Sequence, residues 1–484
     1  MKIAYSFNGS ILPCISKSKC HLGPGVFPTP LPIRTQPYNA YGCQRVIHKR
    51  PLSSARCQAT ASVSTQEAPL STFAQEEGRI LAPGGEGAWD EDALGHPVVR
   101  CFVGEGEDKW LMWYSGRTRG QNGLDPVFPG AGSIGVAVST NGIDWQRGHG
   151  AIEGARGEAK ALDVGRVLEP NEEDWWWLDT RHMAVSDVQV FSSDNTSAGV
   201  YWMFYSGATF ESHEAPAGLA GLQSGAEVEG LRARAGLCMS QDGRNWARLE
   251  AEHHTAAVLD AGDAGEWDAA FIGSPQVVAV GPKDMRMFYH SFDASTETWT
   301  VGTATSKDGF VWTKRGPIFA GSGSRGDFDG KGAAACHVVR DYVCKRWIMF
   351  YEAVASDDTR SISMAVSKDG LKDWARLGRP ILEAGQPGSW DAGGVCSPSA
   401  VSMADGRWRL YYAGLSRKGG GATGVGLAMT DKENVEEFEG LLPTGDSNTP
   451  SILVTFISEP ILHSTSRQEP VQPYEGKSGG APAR

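Results

Sequence analysis

The first 66 residues contain no aspartate or glutamate, although they carry eight lysines or arginines. Those eight positive charges leave −20 on the remaining residues, out of a formal −12 for the 484-residue chain. A body this acidic argues against nucleic acid or an anionic membrane surface as a partner. Long apolar runs are also missing. Ser451 to Ile457 is the best candidate, far short of the roughly 20 residues a membrane-spanning helix needs. The nine cysteines include no Cys-x-x-Cys pair, which speaks against a structural zinc site and against a disulfide framework, and fits a reducing compartment. Long amphipathic helical patterns are absent. The Gly-rich stretch Gly419 to Gly426 lacks the strand, Lys-Ser or Lys-Thr and helix of a phosphate-binding loop.

What the first 66 residues do contain is Ser, Pro, Gly, Lys and Arg without a continuous apolar core, the profile of an organelle transit peptide. Ser54-Ala55-Arg56-Cys57-Gln58-Ala59 resembles the processing region of plastid transit peptides, and the first acid, Glu67, follows it. The sequence therefore predicts residues 1–66 as a disordered leader directing the chain to the plastid stroma. It further predicts a linker or ring-closing strand over 67–86, one repeat domain over 87–440, and a mostly flexible tail over 441–484.

The repeat domain rests on three signatures that recur in fixed order. Gly-x-Trp-Asp occurs at Gly87 to Asp90, Gly265 to Asp268 and Gly388 to Asp391, with a Phe variant at Gly326 to Asp329 and a degenerate copy at Asp174 to Asp179. An apolar and aromatic strand ending in Tyr follows: Trp110 to Ser115, Tyr201 to Ser206, Met285 to His290, Trp347 to Glu352 and Trp408 to Ala413. Such short, continuous apolar runs read as strands buried on both faces. The third signature is Ser-x-Asp/Asn-Gly followed by Trp, at Ser139, Ser240, Ser306 and Ser367. Its Asn-Gly and Asp-Gly pairs predict type I′ hairpin turns between the last two strands of each unit. A four-stranded sheet buries both faces only when it is stacked on neighbours, and five copies can close into a ring. The fold expected is all-β, a five-bladed β-propeller with four-stranded antiparallel blades. The long segments Gly148 to Asn171 and Glu211 to Gly230 are expected as rim or lid loops. Either Val435 to Leu442 or Glu76 to Leu81 is expected to complete the last blade.

With these features the chain resembles the five-bladed propeller superfamily of arabinanases, levansucrases and invertases over about residues 80–440. The resemblance is carried by the Gly-x-Trp-Asp entries, the Tyr-ended strands and the inner-strand segments Gly95-His96-Pro97, Gly273-Ser274-Pro275 and Cys396-Ser397-Pro398. It implies a glycosyl hydrolase-like protein that uses carboxylates at an axial funnel, one as acid and one as base or nucleophile. The family's first-blade Asp falls on His96 and its third-blade Glu on Gly273. Only the second-blade Asp has a match, Asp187.

Departures from the repeat supply the remaining candidates. After the central Tyr the five units read Ser115, Ser206, His290, Glu352 and Ala413, so His290 and Glu352 stand out. Near the inner strands His96, Arg181, His182, Asp187 and His337 replace small or apolar counterparts. Asp187 and Glu352 form the candidate catalytic pair; His96, Arg181, His182, His290 and His337 are candidate substrate-binding residues, and each of these side chains can equally be a hydrogen-bonded structural residue. Asp187 with Arg181, His182 and His96 would also suit a phosphorylase, in which bound phosphate attacks the sugar. No metal ligand set and no cofactor are expected, because the histidines lack close His-x-x-x-His spacing. Two functions follow. One is a plastid carbohydrate-active enzyme acting at the funnel; the other is a catalytically reduced propeller that binds sugar or a protein partner as a scaffold.

Overall fold

The computed structural model describes residues 78–430 except 104–107, 122, 126, 149–164, 193–198, 342–344 and 405, together with the short strands Cys43–Arg45 and Phe456–Ile457. Cys43–Arg45 pairs with Cys101–Val103 and Phe456–Ile457 with Met429–Thr430; the rest of the leader and of the tail beyond 430, with the expected strand Val435 to Leu442, lies outside these residues. Among the described residues there is no helix.

The strands form five antiparallel units. The first runs Ala93–Val103, Lys109–Arg117, Ser133–Ser139 and Gln146–Arg147, and the second His182–Ser192, Gly199–Ala208, Arg234–Ser240 and Ala247–Arg248. The third contains Gly273–Gly281, Asp284–Asp293, Thr298–Ser306 and Trp312–Phe319. In the fourth, Gly332–Asp341, Arg346–Val354, Arg360–Ser367 and Ala375–Arg376 pair in order. The fifth has Gly394–Ser402, Trp408–Leu415 and Ala422–Thr430, and takes its outer strand, Arg79–Leu81, from the other end of the chain. The expected ring-closing strand is therefore present. Arg166–Leu168, within one expected loop, adds a short strand to the first unit.

Strand alternation explains how the units become blades. In Lys109–Arg117, Leu111 and Trp113 face the second unit, packing with Met183, Val185 and Tyr205. Trp110, Met112 and Tyr114 point the other way, against Tyr411, Val425 and Leu427 of the fifth. The same two-sided burial joins units two and three through Phe204 and Tyr289, three and four through Phe288 and Met349, and four and five through Phe350 and Tyr412. Five interfaces thus close a β-propeller ring, each large side chain contributing about 1.5–3 kcal/mol by leaving water.

The recurring Asp of Gly-x-Trp-Asp staples each blade. Tyr hydroxyls of the central strands donate to it, Tyr114 to Asp90 at 3.2 Å, Tyr289 to Asp268 at 2.9 Å, Tyr351 to Asp329 at 2.9 Å and Tyr412 to Asp391 at 3.1 Å. In four blades a cation joins from the outer part of the sheet: Arg147 on Asp90, Arg248 on Asp179, Lys314 on Asp268 and Arg376 on Asp329. The degenerate copy ending at Asp179 does the same work as the others.

The Ser-x-Asp-Gly turns are not type I′. That turn needs positive φ at both central residues, whereas only the glycines have it, at 71°, 75°, 81° and 73° for Gly142, Gly243, Gly309 and Gly370. Side chains replace the tight turn: Ser240 Oγ accepts from Gly243 N–H at 2.9 Å, and Asp242 Oδ1 accepts from Arg244 and Asn245, both at 2.8 Å. The other three copies repeat this pattern. The result is a wider loop held by local side-chain hydrogen bonds.

Candidate functional site

The inner strands run side by side around the axis, and polar side chains tie each to the next. Arg100 of the first blade donates to Val188 O at 2.8 Å and forms an ion pair with Asp187. Asp187 accepts from Val277 N–H at 2.9 Å and Gln189 donates to Val277 O at 2.8 Å, linking the second blade to the third. Gln276 exchanges bonds with Val338 of the fourth at 3.1 and 3.0 Å. His337 Nδ1 accepts from Ala400 N–H of the fifth at 3.0 Å, and Ser399 Oγ from Val99 N–H of the first at 3.3 Å. The belt is closed. It satisfies backbone groups that have no sheet partner on the axial side.

This belt holds two of the sequence-derived candidates, Asp187 and His337. Asp187 is 1% exposed, with Arg100 on one oxygen and Gln189 and Val277 on the other. Burial pushes its carboxyl above the usual range against the pull of Arg100. For His337, burial and the Arg100 charge lower the imidazole to about 3.

A second tier of bonds sits at a bulge in every inner strand, where the register shifts between Gly95 and Val98, Val185 and Asp187, Gly273 and Gln276, Ala333 and Cys336, and Cys396 and Ser399. Ahead of proline, His96, Ser274 and Ser397 take left-handed φ values of 52°, 46° and 51°, a strained conformation for residues other than glycine. Across the blade interfaces Ser115 Oγ accepts from Val185 N–H at 3.0 Å and Ser206 Oγ from Ser274 N–H at 3.0 Å. Glu352 takes the equivalent bond from Ser397 N–H at 3.2 Å, while its other oxygen pairs with Arg360. Glu352 therefore latches two blades as the serines do. Sequence comparison singled it out because its side chain is longer and charged.

His290, at the same position of the third blade, makes no such latch. It donates to the Gly273 carbonyl, and a Cβ built on Gly273 would lie 2.4 Å from the His290 ring. The imidazole fills the space that a side chain at 273 would need. Gathered with His290 at the mouth end of the blades are His96 and His182. His182 Nε2 donates to Gly230 O at 2.9 Å, and Arg181 beside it lies 3.8 Å from Glu229.

All three imidazoles are neutral at ordinary pH. Burial, with neighbouring His182 and Arg360, lowers His96 to about 4; burial lowers His182 to about 4; burial with Arg360 and His96 lowers His290 to about 3. His96, His182 and His290 each have a buried Nδ1 without a hydrogen-bond partner in the protein, and so does the indole Nε1 of Trp299. Because Nε2 of His182 and of His290 carries the proton, their free Nδ1 atoms are acceptors, whereas Trp299 offers a donor. Aromatic rings fill the space between. Phe128 lies 5.5 Å from His182 and 5.1 Å from Phe271, while Phe271 and Trp299 each lie 5.8 Å from His290. Arg360 sits 5.3 Å over Trp299.

Phe128 belongs to the first blade yet touches His182 of the second and Phe271 at the entry to the third, so its loop reaches over the second blade. Leu124, Val127, Leu219 and Leu231 pack with Phe271 and Trp299 beneath. The expected lid segment Glu211 to Gly230 supplies part of this cover, as a hairpin of Ser212–Glu214 with Glu227–Glu229. Sequence reading missed Phe128, Phe271 and Trp299 because each looks like one more core aromatic. Among the described residues no three His, Cys, Asp or Glu side chains converge as metal ligands.

No protein-family model and no curated protein matches the chain. Solved structures with similar architecture include a glycosyl hydrolase from Bacteroides ovatus, 14% identical, covering 73% of this chain and 91% of that one, with a TM-score of 0.47. A structure from the GH130 family of mannoside phosphorylases, described as containing glycoside hydrolases that target β-1,2 mannosidic linkages in Candida mannan, is 14% identical over 74% and 93%, TM-score 0.49. A thermostable family-43 glycoside hydrolase is 17% identical over 70% and 90%, TM-score 0.45.

Proposed function

We propose that the protein is a plastid carbohydrate-binding propeller that holds a sugar at the axial mouth and does not cleave it by the two-carboxylate route. The observation that carries this reading is the group of unpartnered buried polar atoms, Nδ1 of His96, His182 and His290 and Nε1 of Trp299, set among aromatic rings. Each such atom costs roughly 1–3 kcal/mol while it lacks a partner, and sugar hydroxyls, which both donate and accept, answer all four. The flat apolar face of a pyranose suits the rings. Free imidazole acceptors face an anion with lone pairs against lone pairs, so phosphate, and with it phosphorolysis, is disfavoured. Asp187 and Glu352 are each committed to an arginine and to a backbone N–H group, so this pair is not free to serve as acid and base.

The test is a glycan-binding screen of the full chain, joined to assays for released sugar and, in inorganic phosphate, for sugar phosphate. Binding without either product is expected. Cleavage of any bound oligosaccharide would overturn the binding-only reading. The plastid assignment rests on the acid-free leader and is tested by fusing residues 1–66 to a fluorescent reporter; a diffuse cytosolic signal refutes it.

A further inference from the structure

Large apolar side chains in the described chain are nearly all buried, and the exposed ones are Trp175, Phe210, Val200 and Val311. The two aromatics among them, Trp175 at 86% and Phe210 at 62% exposure, belong to the same blade. His182 pairs with Ala208 where the inner strand of the second blade begins and its central strand finishes, so Phe210, just after that central strand, stands at the end where His182 stands, and Trp175 lies in the segment that enters that inner strand. Phe210 is held there by Arg181, whose guanidinium lies 6.0 Å from its ring centroid. Gly230 permits this packing. It has a φ of 77°, and a Cβ on it would meet Arg181 at 2.8 Å and His182 at 3.0 Å.

Both aromatics stand among more acids than cations. Glu172, Glu173 and Asp174 precede Trp175 and are exposed, and Glu211, Glu214 and Glu229 are exposed on the hairpin that follows Phe210. Arg234 pairs with Glu211 at 3.3 Å and Arg181 lies 3.8 Å from Glu229, so two arginines face six acids. The excess negative charge disfavours uronate, sulfate or phosphate groups. What it leaves attractive is the ring face of an uncharged sugar, which stacks on an exposed aromatic and loses apolar area to it.

We propose that Phe210 and Trp175 form an outer sugar platform on the second blade, so that the ligand is an uncharged oligosaccharide running from the mouth outward over that blade. This rests on the reading of the axial mouth as a sugar site. The platform is open to solvent, whereas the mouth lies under Phe128, so chain length determines how much of the ligand reaches each.

The experiment uses the full chain with hexasaccharides of xylose, mannose, glucose and galacturonic acid, each beside its monosaccharide, and compares wild type with Phe210→Ala, Trp175→Ala and Phe210→Trp. An uncharged hexasaccharide is expected to bind more tightly than its monosaccharide and than the galacturonate chain. Each alanine variant is expected to weaken hexasaccharide binding roughly tenfold, to leave monosaccharide binding unchanged, and Phe210→Trp to retain wild-type affinity. Hexasaccharide binding by both alanine variants equal to wild type overturns the platform and leaves the axial site standing. Tighter binding of the galacturonate chain overturns the uncharged class, and absence of binding by wild type to every sugar overturns the axial reading together with the platform.

Discussion

At the scale of single residues, the departures from the repeat divide into two kinds. Asp187, His337 and Glu352 look exceptional in sequence yet tie one blade to the next, in the belt or in the latch that Ser115 and Ser206 also make. His96, His182 and His290 keep unpartnered nitrogens and line the proposed site. Sequence comparison could find both kinds but could not separate them, because a side-chain bond to a distant strand leaves no local pattern. The Gly273 and His290 exchange tests the packing directly. Gly273→Ala puts a methyl against the imidazole and is expected to lower the melting temperature by several degrees, while the double variant with His290→Ala recovers most of the loss; an additive double variant would show that the two do not share the space. The belt makes a pH prediction. A folded-state pKa of about 3 for His337 lies below the unfolded value of about 6.5, so the unfolded chain takes up the proton first and stability falls as pH drops from about 6.5 toward the folded pKa. The share of His337 in the loss at pH 5 relative to pH 8 is on the order of 2 kcal/mol, and His96, His182 and His290 add to it in the same direction. His337→Gln should flatten that part of the curve in chemical denaturation; an unchanged slope contradicts the assignment.

At the scale of the element, strand patterns and their order were readable because each central strand is apolar on both faces, which suits a blade between two others. The turn type was not. Asp-Gly suggests a two-residue turn, but the Ser Oγ and Asp Oδ1 bonds offer the backbone another way to reverse. The Trp-Asp segments read as turn chemistry and prove to be staples that reach the central-strand Tyr and a cation. Asp90→Ala leaves the buried Tyr114 hydroxyl without its acceptor and takes one partner from Arg147, which is a quarter exposed and still donates to Ala82 O, and should cost about 1–3 kcal/mol. Equilibrium unfolding in urea measures this, and a loss below about 1 kcal/mol would return Asp90 to a surface turn residue.

The whole molecule closes by pairing Arg79–Leu81 with Ala422–Thr430, and side-chain bonds running from the first inner strand around to the fifth and back close the axis. Ring closure was foreseen as one of two alternatives, since a three-residue strand carries little pattern of its own. Removing residues 1–66 takes away only the short strand Cys43–Arg45 and should change the melting temperature little, whereas removal through Ala82 should lower it further and expose the edge of the last blade; equal melting temperatures for the two truncations contradict closure by this strand. The central claim is that the axial mouth is a neutral imidazole site for sugar hydroxyls, while the hub carboxylates serve the fold. Its most direct measurement is the nitrogen-15 spectrum of His182 and His290 at neutral pH, with and without a bound uncharged oligosaccharide. The account predicts neutral rings protonated at Nε2, with Nδ1 shifting as a hydroxyl donates to it. Imidazolium rings, or Nδ1 signals unmoved by a saturating sugar, would contradict it.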